Sequence, residues 1–177
     1  MIFVKITANH EIFVLDNYPR QDLLLKDLGD YFEKHKDCQN RQTNVKATMT
    51  EWNLDLPSQE FIHFKNTIYT VAKELNLYWA CPFKIYSIWA NIYRKGDHTV
   101  SHDHDPTRYS FVYFLKSKSN FSPLLFEGIN LKNKKKQWKE VKPIEGRLVI
   151  FPGFLKHRVP VHIHDETRIT ISGNFSQ

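Results

Sequence analysis

The chain has 177 residues, 14% of them aromatic, a formal net charge of +6 and two cysteines. That length suits one domain with a real hydrophobic core, and the Phe and Tyr content favours a sheet-rich interior. Cys38 and Cys81 stand far apart, no apolar run reaches a membrane span, and Met1-Ile2-Phe3-Val4-Lys5-Ile6 lacks the basic start and cleavage site of a signal peptide. Disulfide-stapled secreted folds and helical membrane proteins are set aside, and the expectation is a cytoplasmic protein with no membrane partner.

Ile2–Ile6 and Glu11–Leu15 are short β-rich runs, and Asn17-Tyr18-Pro19 breaks the chain after them. A helix is predicted from Gln21 to about Lys36, because Leu24, Leu28, Tyr31 and Phe32 recur at spacings of three and four. After the polar loop Asp37–Gln42, a strand is expected over Lys46–Leu54. Pro57-Ser58-Gln59-Glu60 reads as a helix start, and Phe61, Phe64, Ile68, Val71, Ala72 and Leu75 carry the helical period to about Asn76. Both helices are expected to bury their apolar stripes on the back of a sheet.

From Phe83 the pattern changes to short alternating runs. Strands are predicted over Phe83–Tyr93, Arg108–Lys116, Leu124–Phe126, Trp138–Val141, Arg147–Phe151, Val159–Ile163 and Thr167–Phe175, with turns at Arg94–Asp97 and Asn130–Lys136. This series fits a sandwich or a double-sheet jelly roll, a mainly β fold with flanking helices. The chain divides as one domain, 1–177, in which 1–80 supports the barrel and 81–177 forms it.

The chemistry gathers in the second half. In a strand, residues two apart share a face, so His102 and His104 can point together into a barrel mouth. His157, about fifty residues on and just after Phe151-Pro152-Gly153, is the natural third imidazole. Asp103 and Asp105 offer a carboxylate alternative. Imidazole suits Zn, Cu, Fe and Ni alike, so the spacing leaves the metal open. His162 and His164 form a second His-x-His, expected at a strand end near solvent.

The segments Trp89–Asp97, His102-Asp103-His104, Ser110–Leu115, Glu145–Gly153, His157–Pro160 and Arg168–Asn174 together resemble the 2-oxoglutarate- and Fe(II)-dependent oxygenases of the prolyl-hydroxylase-like branch. The match is nearest to a small group, common in bacteria and in tailed phages of marine cyanobacteria, with His-x-His where His-x-Asp is usual. The resemblance implies a double-stranded β-helix, cupin-like, with about two N-terminal helices packed on one sheet. It implies Fe(II) as metal, 2-oxoglutarate and O2 as co-substrates, and hydroxylation of a protein side chain, prolyl included, or of a small amino-acid-like molecule. His102 and His157 would ligate iron and Arg168 would hold the far carboxylate of 2-oxoglutarate. Thr170 would assist on the same strand face, and Tyr93 and Tyr113 would line the pocket. The departure is the second ligand. His104 is favoured over Asp103 or Asp105, because strand geometry would turn Asp103 to the opposite face. If the protein is phage-encoded, its place is the host cytoplasm.

Two other functions share this architecture: a cupin-like three-His dioxygenase or isomerase that needs no 2-oxo acid, and a non-catalytic jelly-roll module. The basic run Asn130–Lys139 reads first as a solvated hairpin tip. Its functional alternative is a clamp for an acidic polypeptide or for nucleic acid, with Lys134, Lys135 and Lys136 meeting phosphate and Trp138 stacking.

Overall fold

The computed structural model describes residues 11–16, 21–35, 43–75, 77, 84–130 and 132–175. The run Ile2–Ile6, the break Asn17-Tyr18-Pro19, the loop Asp37–Gln42 and both cysteines lie outside them. The elements are β1 (Phe13–Leu15), α1 (Gln21–Lys34), β2 (Val45–Lys46), β3 (Thr48–Met49), α2 (Gln59–Glu74), β4 (Ile85–Tyr93), β5 (His98–His102), β6 (Tyr109–Lys116), β7 (Leu124–Ile129), β8 (Lys136–Val141), β9 (Leu148–Pro152), β10 (His157–Val159) and β11 (Arg168–Phe175). They form two sheets, ordered β1-β9-β6-β11-β4-β3 (the major sheet) and β2-β5-β10-β7-β8 (the minor sheet), with every strand pairing antiparallel. This is the jelly roll expected from the strand series.

Alternation along the strands creates two cores. On β6, Phe111, Tyr113 and Leu115 join the cluster that includes Leu24 and Leu28 of α1 and Phe61, Phe64 and Ile68 of α2. Val112 and Phe114, one residue out of phase, join the core between the sheets with Phe126, Val149 and Phe151. The helices therefore back the major sheet alone. Helix α2 starts where the sequence says it should: the Ser58 side chain accepts the Phe61 N–H at 3.1 Å, and Glu60 sits in the first turn.

Two strands differ from expectation. The stretch Lys46–Leu54 is not one strand, because the chain crosses between sheets there. Val45 pairs with Thr99 on the minor sheet, and Thr48 pairs with Ile92 on the major one. The strand expected over Val159–Ile163 instead runs from His157 to Val159 and stops at Pro160, which has no N–H to give a ladder. Beyond it Val161 and Ile163 face solvent, while the His162 N–H donates to Asp97 O at 2.7 Å and its carbonyl accepts from Gly96 N at 2.8 Å.

Strand β1 is fastened to the sheet by charge as well as by its ladder. Arg147 donates from Nε to Asp16 Oδ1 at 2.6 Å and from Nη2 to Asp16 Oδ2 at 2.8 Å, a two-pronged ion pair at the end of β1. The hydrogen bonds from Arg147 hold the Asp16 carboxyl below its ordinary 3.8, with burial opposing. A carboxylate whose folded-state pKa is depressed adds stability above its unfolded value and loses it as pH falls through the folded one. Asp16→Asn is expected to lower stability at pH 7 by on the order of 1 kcal/mol, allowing for solvent screening. In urea melts the difference from wild type should shrink as pH falls below 3.8; a pH-independent gap would mean that charge is not the cause.

Candidate metal centre

His102 is the last residue of β5 and His157 the first of β10, and the ladder sets them directly opposite each other. Residues opposite across an antiparallel pair project to the same face, so both rings enter the space between the sheets. His104 lies beyond the end of β5, not on it, so the shared-strand-face expectation does not hold. A loop brings it in instead. The His104 N–H donates to Gly153 O at 2.7 Å, and the Gly153 N–H donates to Arg108 O at 3.0 Å, which stitches the loop after β5 to the connection before β10.

The three rings converge, with centroids 5.0 Å apart for His102 and His104, 4.4 Å for His102 and His157, and 5.0 Å for His104 and His157. One nitrogen of each lies within 4.8 Å of the other two, which is a spacing one metal ion can span. Neither Asp103 nor Asp105 belongs to this group; Asp103 accepts the Asp105 N–H at 3.4 Å and Asp105 is exposed.

Tautomers follow from the backbone. His102 Nδ1 lies 2.9 Å from Val100 O, and His157 Nδ1 lies 2.9 Å from Leu155 O. A carbonyl can only accept, so each Nδ1 carries the proton and each Nε2 keeps its lone pair for a metal. Burial lowers the pKa of all three. His104 is pushed down to about 4 by burial and then by its neighbour His102. His157 falls well below the usual histidine value, again mainly through burial, and His102 is lowered by burial against the pull of Val100 O and Asp103. All three are neutral at pH 7, the form in which imidazole ligates.

The same cavity is lined at its other end by Arg168, Thr170 and Tyr93. Arg168 is 1% exposed, with its guanidinium 4.7 Å from the Tyr93 ring and 5.1 Å from the Phe114 ring. Its Nε and Nη1 have no hydrogen-bond partner, and burial pushes its pKa down to about 10. Charge this deep without an anion costs several kcal/mol, a cost that an anion bound beside it would offset. Tyr93, its phenol pKa raised by burial, shares a hydrogen bond of 2.8 Å with Thr99 Oγ1. Thr170 accepts from Asn91 Nδ2 at 3.3 Å.

Tyr113 is not in this cavity. It lies on the helix side of β6, fully buried, its ring 5.0 Å from Phe64, because the inward phase of that strand belongs to Val112 and Phe114. The second His-x-His is not a solvent-facing pair either. His162 is fully buried, donating from Nε2 to Glu166 O at 2.8 Å, and Phe121 packs 4.9 Å from both its ring and that of His164. The sequence analysis missed two polar groups. Trp89 Nε1 and Asn91 Oδ1 are buried, unpartnered, and line the cavity. Period two running back from Tyr93 along β4 is the signal that finds them.

Comparison with known proteins agrees with this geometry. Residues 87–174 match the family model described as 2OG-Fe(II) oxygenase. Solved structures share the fold: a prolyl-4-hydroxylase from Pseudomonas putida, 15% identical, covers 96% of this chain and 94% of its own at a TM-score of 0.72. The viral collagen prolyl hydroxylase of Paramecium Bursaria Chlorella virus-1, in a 2OG complex, is 11% identical over 93% and 94% at 0.65. A Trichoplax adhaerens prolyl hydroxylase, in complex with a peptide fragment of the hypoxia inducible factor oxygen degradation domain, is 14% identical over 93% and 83% at 0.65. No curated protein sequence matches. No helix among the described residues is long and apolar enough to cross a membrane.

Gly153 tests the stitching of the site. A Cβ there would run into Thr107 O, and 2.5 Å from Thr107 Oγ1, where the His104 loop passes. Gly153→Ala is expected to push the two loops apart and weaken metal affinity about 10- to 100-fold, the range for residues that hold ligands in place. Metal titration followed by dialysis reads this, and unchanged affinity would show that His104 is positioned by other contacts.

Proposed function

We propose, for a chain that belongs to the 2-oxoglutarate- and Fe(II)-dependent oxygenases on a prolyl-hydroxylase-like fold, that it hydroxylates a protein side chain, a prolyl ring among the candidates, or a small amino-acid-like molecule. His102, His104 and His157 hold the Fe(II), and Arg168 with Thr170 holds the far carboxylate of 2-oxoglutarate. The observation that carries this is the unpaired Arg168 guanidinium, enclosed in the same cavity as three neutral imidazoles. When bound, the iron and co-substrate supply the oxidising chemistry: 2-oxoglutarate, O2 and a substrate C–H become succinate, CO2 and a C–OH.

The chain's own residues do the rest. The Nδ1–H bonds to Val100 O and Leu155 O fix the ring planes of His102 and His157. Tyr93 and Phe114 hold the guanidinium between their rings, and Phe126, Phe151 and Trp89 keep water from the metal end. A dicarboxylate suits this cavity because one end meets a fixed cation and the other a metal. The peptide complex of the Trichoplax relative supports a polypeptide substrate.

A second function keeps one observation in its favour. With no carboxylate in the donor group, the site also suits a three-His metal enzyme that uses no 2-oxo acid. Such an enzyme leaves the buried Arg168 without an anion, so it ranks second.

Anaerobic titration of the Fe(II)-loaded protein with 2-oxoglutarate separates the two. A weak visible charge-transfer band is expected for wild type and absent in His157→Ala. Arg168→Ala should retain iron and lose roughly 100-fold in 2-oxoglutarate affinity, following the about 3 kcal/mol or more lost when a buried pair is broken. Iron bound without a band would favour the second function; no iron at all would make the imidazoles structural.

A further inference from the structure

We propose that the β7–β8 hairpin and the free edge of β8 dock an acidic, extended polypeptide, the chain that carries the residue to be hydroxylated; this names a substrate class and rests on the oxygenase function above. The hairpin's position comes from its register. Phe126 sits opposite His157, and β7 then runs on through Ile129, roughly 10 Å further at strand rise, before it turns. The turn therefore projects beyond the metal ligands, at the end of the barrel where the loop carrying His104 also lies.

Residues 130–139 contain five lysines and no acidic residue. Only Lys136 is paired, with Glu127 at 2.8 Å; Lys132, Lys134 and Lys135 have no ion pair among the described residues. The described residues of the turn are framed by local bonds. Asn130 Oδ1 accepts the Lys132 N–H at 3.0 Å, Asn133 Oδ1 accepts the Lys135 N–H at 3.1 Å, and Lys134 takes the left-handed conformation at φ 58°. Lysines carried on such a frame present a positive surface at this end of the barrel, which raises the encounter rate with an acidic chain.

The strand edge selects a polypeptide. β8 is the last strand of the minor sheet among the described residues. The Glu127 N–H is spent on Lys156 O at 2.8 Å, and Asn130 bonds to Lys135, so the β7 residues that bond to β8 are Gly128, Phe126 and Leu124. The N–H and C=O of Lys136, Trp138 and Glu140 consequently face outward, an open template for one more strand. Nucleic acid is the poorer fit. The one aromatic ring of the run, Trp138, already has the Arg158 guanidinium over it at 4.2 Å, so one of its two faces is taken and the run offers no second ring for stacking.

Fluorescence anisotropy on the full chain tests this with three probes: a Glu/Thr-rich peptide with one central proline, its Gln/Thr counterpart, and oligothymidylate of matching charge. The expected result is salt-sensitive binding of the acidic peptide alone, weakened at least about tenfold by Lys132→Glu/Lys134→Glu/Lys135→Glu. Glu140→Pro, which removes one outward N–H and leaves the β7 ladder intact, should weaken it as well. Both variants should melt like wild type and keep the 2-oxoglutarate band. Equal binding of the Gln/Thr peptide, wild-type affinity in the triple variant, or capture of oligothymidylate in place of the acidic peptide would each overturn the proposal. Peptide binding is scored with and without iron, so a missing 2-oxoglutarate band would count against the oxygenase function and leave this result standing on its own.

Discussion

An arginine sealed inside a barrel without a counter-ion is the constraint on which the rest of this structure depends. Arg168 opens β11, the strand at the middle of the major sheet, and its register places it beside Tyr93. The inward face of β11 continues with Thr170, Ser172 and Asn174, a polar row where a barrel core would normally be Val, Ile and Leu. Around that row the protein spends its aromatic content. Phe114 and Tyr93 flank the guanidinium and Phe126 and Phe151 flank His157. The helices seal the far side of the same sheet. Thr170, Ser172 and Asn174 find hydrogen-bond partners on β4 and β6, so within the row it is the Arg168 guanidinium whose Nε and Nη1 stay unsatisfied, and the hydrophobic layers make that costly.

The metal end follows a different logic. All three imidazoles come from the minor sheet and the loop leaving it, and among the described residues none has a helix behind it. Their geometry rests on backbone contacts: one ladder rung, two Nδ1–H bonds to carbonyls two residues back, and the close approach at Gly153. The anion end is held by packing and the metal end by hydrogen bonds.

Much of this was legible in the sequence. Helices α1 and α2 followed from residues such as Leu24, Leu28, Phe61 and Phe64, and the strand series gave the jelly roll. The failures share a cause, which is that period two says two residues share a face without saying which face, or whether the strand reaches that far. Tyr113 has the same period as its neighbours on β6 but the phase that meets the helices. His104 has strand spacing from His102 yet lies past the strand end, and comes inward through a bond to a residue almost fifty positions away. His162 looked like a surface histidine because nothing local announces that Phe121 will fold over it. Trp89 and Asn91 lie in the segment that carries the resemblance and in phase with Tyr93, but that they are polar groups without partners shows only once the cavity is in view.

Among the described residues no helix backs the minor sheet, and its outermost hairpin is attached by the β7–β10 ladder and by the inward side chains Leu124, Phe126 and Val141. The rung between Phe126 and His157 fixes the ligand before the hairpin begins, so residues past Ile129 can lengthen, shorten or change sign without moving the iron site. The three imidazoles are thus framed by one ladder and the loop stitched to it, and the projecting turn lies outside that frame.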